Sequence, residues 1–181
     1  MDTPKLPYQR IVLLTEDNAE QLLALKNSAD LYFSNEPTAK VIIASSTSEA
    51  ISGLESCLSQ SPQASLYAVL DFNMGHNPQG NRRPTESLFY DSTFKRYLLN
   101  GGVVIMYSGY PEQVGQSDVI MDTPRVYPKV ALLIAEKVEV TPDEVVRILK
   151  TVSPDKITGP RGLRARAESS QYNLAAILRK K

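Results

Sequence analysis

The segment Leu66-Tyr-Ala-Val-Leu-Asp-Phe-Asn-Met74 places one acid, Asp71, directly after a short apolar run of strand-forming residues. Such a run is typical of a strand that is buried on both faces of a parallel sheet. In open α/β folds, ligands bind in the crevice at the carboxyl ends of the strands. The segment therefore predicts a buried parallel strand with a candidate functional carboxylate at its carboxyl end.

Two other apolar runs end in polar side chains. One precedes the acids Glu16 and Asp17, and another precedes the hydroxyl of Ser108. In a doubly wound sheet the first and third strands can be neighbours at a topological switch point, where the carboxyl ends of the strands share one edge. We therefore expect Glu16, Asp17 and Asp71 to converge, with Ser108 at the same edge.

The residue types at these strand ends suit a metal-assisted phosphoryl site. Converging carboxylates repel one another unless a cation lies among them, and Mg²⁺ prefers such oxygen ligands while keeping waters and binding phosphoryl oxygens. Lys137, after the last apolar run, supplies a compact positive charge for phosphate, and Lys129 competes for that role. In the alternative interpretation, Glu16 and Asp17 only cap a helix, and Lys137 is a solvated surface lysine.

The order of elements predicts the fold class. We predict strands at residues 10–14, 41–44, 66–70, 103–106 and 130–135. Helices are expected after Asp17 or Asn18, after the caps at 45–48, across 87–99, and from Thr141. The helix predicted across 87–99 should bury Leu88, Phe94, Leu98 and Leu99. Residues 76–84 are predicted as a loop, and residues 112–126 are ambiguous.

Strands that alternate with helices in this way favour an α/β fold, with a doubly wound, five-stranded parallel sheet in a flavodoxin-like three-layer sandwich. We divide the chain into an N-terminal extension at 1–9, one domain at 10–152 and a C-terminal tail at 153–181. The tail, which we expect to be helical or flexible, carries seven Lys or Arg and two acids, an excess of five positive charges.

Composition narrows the classes of function. The 181 residues contain 20 basic and 20 acidic side chains, so the total charge implies no particular partner. The single cysteine, Cys57, excludes an internal disulfide and a cysteine-based zinc site. Glycine-rich phosphate loops are absent, and the one histidine, His76, has no nucleophile elbow beside it.

Location and tail partners are also expectations from the sequence. No apolar run approaches the ~20 residues that span a bilayer, and residues 1–7 lack a signal-peptide pattern. We therefore expect a cytoplasmic protein with no membrane partner. The tail can pack on its own domain, on a second copy in a homodimer, or on another protein. Because no recognition motif accompanies its basic residues, nucleic acid is not expected as a partner.

Together these segments resemble the receiver (CheY-like) domain of two-component response regulators, over residues 10–152. Glu16 and Asp17 resemble the family's acidic pair after the first strand, and Asp71 with Phe-Asn-Met resembles its phosphoacceptor segment. Ser108 matches the switch hydroxyl, and Lys137 before Thr-Pro-Asp-Glu resembles the late lysine.

The resemblance implies a role in phosphorelay signalling. Asp71 would accept a phosphoryl group from a histidine kinase or phosphotransfer protein, and output would be contact with a downstream protein. Any enzymatic activity would be at most autophosphatase activity. The residues implied for Mg²⁺ are Glu16, Asp17, Asp71 and the backbone carbonyl of Asn73, and those implied for the phosphoryl group are Ser108 and Lys137, with Lys129 as the alternative.

The sequence also departs from the receiver pattern. Gly75 and Val138 replace prolines, Ile134 replaces the switch aromatic residue, and the intervals between site residues are longer than usual. A receiver-like interaction domain that is never phosphorylated is one alternative. The segment around Asp71 also resembles haloacid-dehalogenase-like phosphatases, but their general acid is replaced by Asn73, and an amide cannot donate and recover that proton.

Overall fold

The computed structural model describes residues 7–74 and 84–152. The strands are β1 (Arg10–Thr15), β2 (Ala39–Ala44), β3 (Ser65–Asp71), β4 (Gly102–Ser108) and β5 (Val130–Glu136). The helices are α1 (Ala19–Phe33), α2 (Thr47–Leu58), α3 (Pro84–Leu88), α4 (Ser92–Asn100), α5 (Pro111–Val114), α6 (Asp118–Met121), α7 (Thr123–Val126) and α8 (Pro142–Thr151). Gly75, His76 and the basic tail at 153–181 lie outside the described residues.

The five strands form one parallel sheet in the order β2-β1-β3-β4-β5. The chain order reverses between β1 and β3, which makes their junction the topological switch point. Thr15 pairs with Leu70, and Asp71 pairs with Tyr107 on β4, so these strands end nearly level. The predicted doubly wound α/β fold is confirmed.

Apolar side chains cover both faces of the sheet. In β3, Leu66, Ala68 and Leu70 belong to one core cluster, while Tyr67 and Val69 belong to the other. Helices α2 to α6 contribute to the first cluster, and helices α1 and α8 to the second. The strands are therefore the central layer of a three-layer sandwich, which explains why they are continuous apolar runs rather than alternating ones.

The prediction of one helix across 87–99 is wrong, because this segment belongs to two helices, α3 and α4. Residues 89–91 separate α3 from α4, because the Asp91 carboxylate caps α4 by accepting hydrogen bonds from the backbone amides of Thr93 and Phe94. Leu99 is 64% exposed, contrary to expectation, and Tyr97 is buried on that helix instead. The ambiguous segment 112–126 contains most of the short helix α5 and all of the short helices α6 and α7.

The predicted starts of the other helices agree with the structure. Asn18 caps α1 by accepting from the amides of Glu20 and Gln21, and Ser46 caps α2. Thr141 and Glu144 form a reciprocal capping box at the start of α8. Among the residues that the structure describes, no helix has the length and apolar character needed to cross a membrane.

Candidate functional site

Three carboxylates converge at the carboxyl edge of the sheet. Glu16 directly follows β1, and Asp71 is the last residue of the neighbouring strand β3. One carboxylate oxygen from each of Glu16, Asp17 and Asp71 lies within 4.8 Å of the others. Glu16 and Asp71 are only 1% and 3% exposed, whereas Asp17 is exposed. The expected convergence is therefore present, with one side open to solvent.

Lys137 joins the two buried carboxylates. It directly follows β5, and its Nζ lies 2.6 Å from Glu16 Oε2 and 2.9 Å from Asp71 Oδ1. Strand β4 separates β5 from β3, so the lysine side chain crosses above the end of β4 to reach both acids. Lys129 is exposed and precedes β5 at the opposite edge of the sheet. The structure thus brings Lys137, and not Lys129, to the carboxylates.

Burial controls the electrostatics of this cluster. Desolvation raises the pKa of Glu16 and of Asp71, and the hydrogen bonds from Lys137 offset part of that effect. Burial by itself lowers the pKa of Lys137, but its hydrogen bonds to Glu16 and Asp71 outweigh burial, so the pKa is raised overall. Two buried carboxylates thus share one ammonium, and the exposed Asp17 adds further negative charge that attracts a cation.

Hydrogen bonds to neighbouring residues hold Asp71 in place. Its backbone amide donates to Thr15 Oγ1 (3.2 Å), and its carbonyl accepts from Thr85 Oγ1 (2.6 Å). The backbone amide of Asn73 donates to the Asp71 carboxylate and lowers its pKa in part. Both threonines are buried. Sequence reasoning missed them, because Thr85 follows Asp71 by fourteen residues and no local pattern marks it.

Ser108 lies at the same edge, at the end of β4 next to β3. It is buried, and its hydroxyl accepts from the backbone amide of Tyr110 at 2.9 Å. Its carbonyl accepts from the backbone amide of Lys137 at 2.9 Å. Asn73 is exposed, two residues beyond Asp71. The role of its carbonyl as a metal ligand stays a prediction.

Comparisons of the chain with family models, with curated proteins and with solved structures gave no match. Glu16, Asp17 and Asp71 present carboxylate oxygens within reach of one another, which is the chemistry of a site for a hard cation. This cluster of two buried acids and one exposed acid could bind a metal ion.

Proposed function

We propose that this protein is a receiver-like phosphoacceptor, in which Asp71 takes up a phosphoryl group in the presence of Mg²⁺ and passes the signal on by protein–protein contact. The observation that carries the proposal is the contact of Lys137 Nζ, which reaches across the end of β4, with both Glu16 and Asp71. A nucleophilic carboxylate beside a metal-binding acid and a fixed ammonium has the parts that phosphoryl transfer needs.

The oxygen-only donor set favours Mg²⁺ over softer metals. Glu16, Asp17 and Asp71 would hold the ion, together with the backbone carbonyl of Asn73. When bound, the ion would neutralise charge on the phosphoryl oxygens. The open side at Asp17 leaves room for the waters that Mg²⁺ usually keeps.

The transfer step requires an activated phosphoryl donor, such as the phosphohistidine of a histidine kinase or phosphotransfer protein. A carboxylate oxygen of Asp71 attacks phosphorus and forms an O–P bond, while the P–N bond of the donor breaks and its electron pair stays on the imidazole. Lys137 then pairs with a phosphoryl oxygen, since its ammonium already lies 2.9 Å from the nucleophile. The product is an acyl phosphate on Asp71.

Ser108 connects the site of the acyl phosphate to an exposed residue. Its hydroxyl accepts from the amide of Tyr110, whose side chain is exposed. Rotation of the Ser108 side chain toward a phosphoryl oxygen would move its oxygen away from the Tyr110 amide, and the loss of that bond would change the segment after β4. Such a local response to new charge is a general means of altering a contact surface. A downstream protein that contacts this segment would sense the change.

Incubation of the protein with Mg²⁺ and acetyl phosphate tests the proposal. We expect the wild type to gain one phosphoryl mass, sensitive to hydroxylamine, by intact-protein mass spectrometry. Asp71→Asn should gain none, because an amide is not a nucleophile for this step. Asp30→Asn, which changes an exposed aspartate on α1, should behave like the wild type. Chelation of the metal with EDTA should abolish the adduct.

Two results would contradict the proposal. One is a wild type that gains no phosphoryl group and whose spectrum does not change when beryllofluoride is added with Mg²⁺. The other is sustained, Asp71-dependent hydrolysis of phosphate monoesters, which would favour a phosphatase. Asn73 argues against that second outcome, because it has no acidic proton for the leaving group.

A further inference from the structure

Tyr107 lies on β4, between the strand that ends in Asp71 and the strand that precedes Lys137. It pairs with Asp71 on one side of β4 and with Ala135 on the other. Its side chain is buried, and its ring centroid is 5.5 Å from Lys137 Nζ, within the range of a cation–π contact. The lysine side chain therefore passes over the Tyr107 ring on its way to the carboxylates.

The hydroxyl of Tyr107 also holds the loop that carries the lysine. It donates to the carbonyl of Val140 at 2.8 Å, in the segment that joins β5 to α8. The next residue of β4, Ser108, accepts from the backbone amide of Lys137. Two consecutive residues of β4 thus fix the loop near its two ends, whereas Val138 and Glu139 between them are exposed.

The Tyr107 hydroxyl keeps its proton and therefore remains a hydrogen-bond donor. Burial raises the pKa of Tyr107 to about 12, and the charges of Glu16 and Glu144 add to the effect. The hydroxyl is therefore protonated at neutral pH and keeps its bond to Val140. A phenylalanine would fill the same space and keep the ring beside Lys137, but would leave the Val140 carbonyl without this donor.

We propose that Tyr107 is a positioning residue that sets the reach of the Lys137 ammonium, by tying the β5–α8 loop through the Val140 carbonyl and by placing its ring beside the ammonium. This inference rests on the proposed function, since the phosphoryl group is what Lys137 would contact. Tyr107 acts through the lysine and touches neither the metal nor the phosphoryl group.

The test uses Tyr107→Phe in the full chain, with Tyr97→Phe as the matched control. Tyr97 is also buried, and its hydroxyl donates to a carbonyl, that of Leu54, at 3.4 Å, but it packs in the cluster on the opposite face of the sheet. The affinity for Mg²⁺, and that for beryllofluoride at saturating Mg²⁺, are measured by calorimetry for each variant.

We expect Tyr107→Phe to weaken beryllofluoride binding about fivefold, because a less restrained Lys137 side chain must be ordered when the anion binds. The Mg²⁺ affinity should not fall, because the carboxylates are unchanged and a looser ammonium competes less with the ion for Glu16 and Asp71. Tyr97→Phe should leave both affinities unchanged. In a Lys137→Met background, Tyr107→Phe should have no further effect, because its action passes through the lysine. An undiminished effect in that background, or an equal loss of Mg²⁺ affinity, would overturn the inference.

A second measurement separates this inference from the proposed function. Hydrogen exchange of the Lys137 ammonium, followed by NMR of ¹⁵N-lysine-labelled protein without metal, should be at least threefold faster in Tyr107→Phe and unchanged in Tyr97→Phe. If the wild type binds no beryllofluoride, the proposed function fails, and this exchange rate alone decides the role of Tyr107. An exchange rate unaffected by Tyr107→Phe would refute that role.

Discussion

Asp71 and Glu16 are buried carboxylates that share the single ammonium of Lys137. Their raised pKa values mean that the ionised form of each is less favourable in the folded chain than in the unfolded chain. A cation at the site relieves this excess of negative charge. The arrangement therefore lowers the stability of the metal-free fold at neutral pH.

Replacement of Asp71 by asparagine should stabilise the metal-free protein. The change removes one buried negative charge and leaves Glu16 paired with Lys137, so we expect the free energy of unfolding at pH 7 to rise by about 1 kcal/mol. Urea denaturation in the presence of EDTA measures it. Asp30→Asn, on the exposed surface of α1, should change the value little. A destabilised Asp71→Asn would show that the Lys137 bridge outweighs the burial of charge.

The site residues that could be predicted from the sequence are those at strand ends. Glu16, Asp71 and Lys137 each come at or directly after the end of an apolar run, which a linear pattern displays. Thr85 and Tyr107 could not be found in this way, because their hydrogen bonds at the site are with residues far along the chain. Tyr107 in addition lies inside an apolar run, where an aromatic residue predicts only packing.

Local hydrogen bonds decide where the helices begin. The apolar spacing of residues 87–99 predicts one helix, but the Asp91 carboxylate starts a new helix at Ser92. The edge-to-face contact of Phe89 with Phe94, whose ring centroids are 5.2 Å apart, packs the two sides of this break together. Apolar periodicity alone does not distinguish one helix from two that bury the same face.

Helix α8 should depend measurably on its cap. Thr141→Ala removes the hydroxyl that accepts from the Glu144 amide, and we expect a loss of about 1 kcal/mol of unfolding free energy by urea denaturation. Thr151→Ala is the matched control, since the Thr151 hydroxyl only bonds back to carbonyls of its own helix and the residue is exposed. Equal losses for the two variants would show that the capping box contributes nothing specific.

The first residue of β4 must be a glycine because it lies against the backbone of β3. Gly102 has φ of +142°, and a Cβ there would lie 1.8 Å from the carbonyl oxygen of Leu66. No side-chain rotation relieves a clash with the backbone, so a larger residue would push β3 and β4 apart at this end. Because the helical layers on both sides pack on these strands, the disturbance would reach the whole molecule.

We therefore expect Gly102→Ala to lower the free energy of unfolding by roughly 2–4 kcal/mol, through strain and displaced strand pairing. Gly109→Ala, just beyond the other end of β4, is the control, since nothing lies within 4 Å of the Cβ it would add. That variant should stay within about 0.5 kcal/mol of the wild type. Thermal and urea unfolding of both proteins measure the difference, and similar stabilities for the two would contradict the prediction.

The sequence by itself determined the fold class and the identity of the acids, because apolar runs of strand length that alternate with capped helices have few compact arrangements. It left open which lysine joins the site. Only the tertiary structure decided that, because sheet order and strand direction place Lys137 at the carboxyl edge and Lys129 at the amino edge. It alone also revealed the bond from Tyr107 to Val140, since a contact over 33 residues depends on how β4 and the β5–α8 loop meet in space.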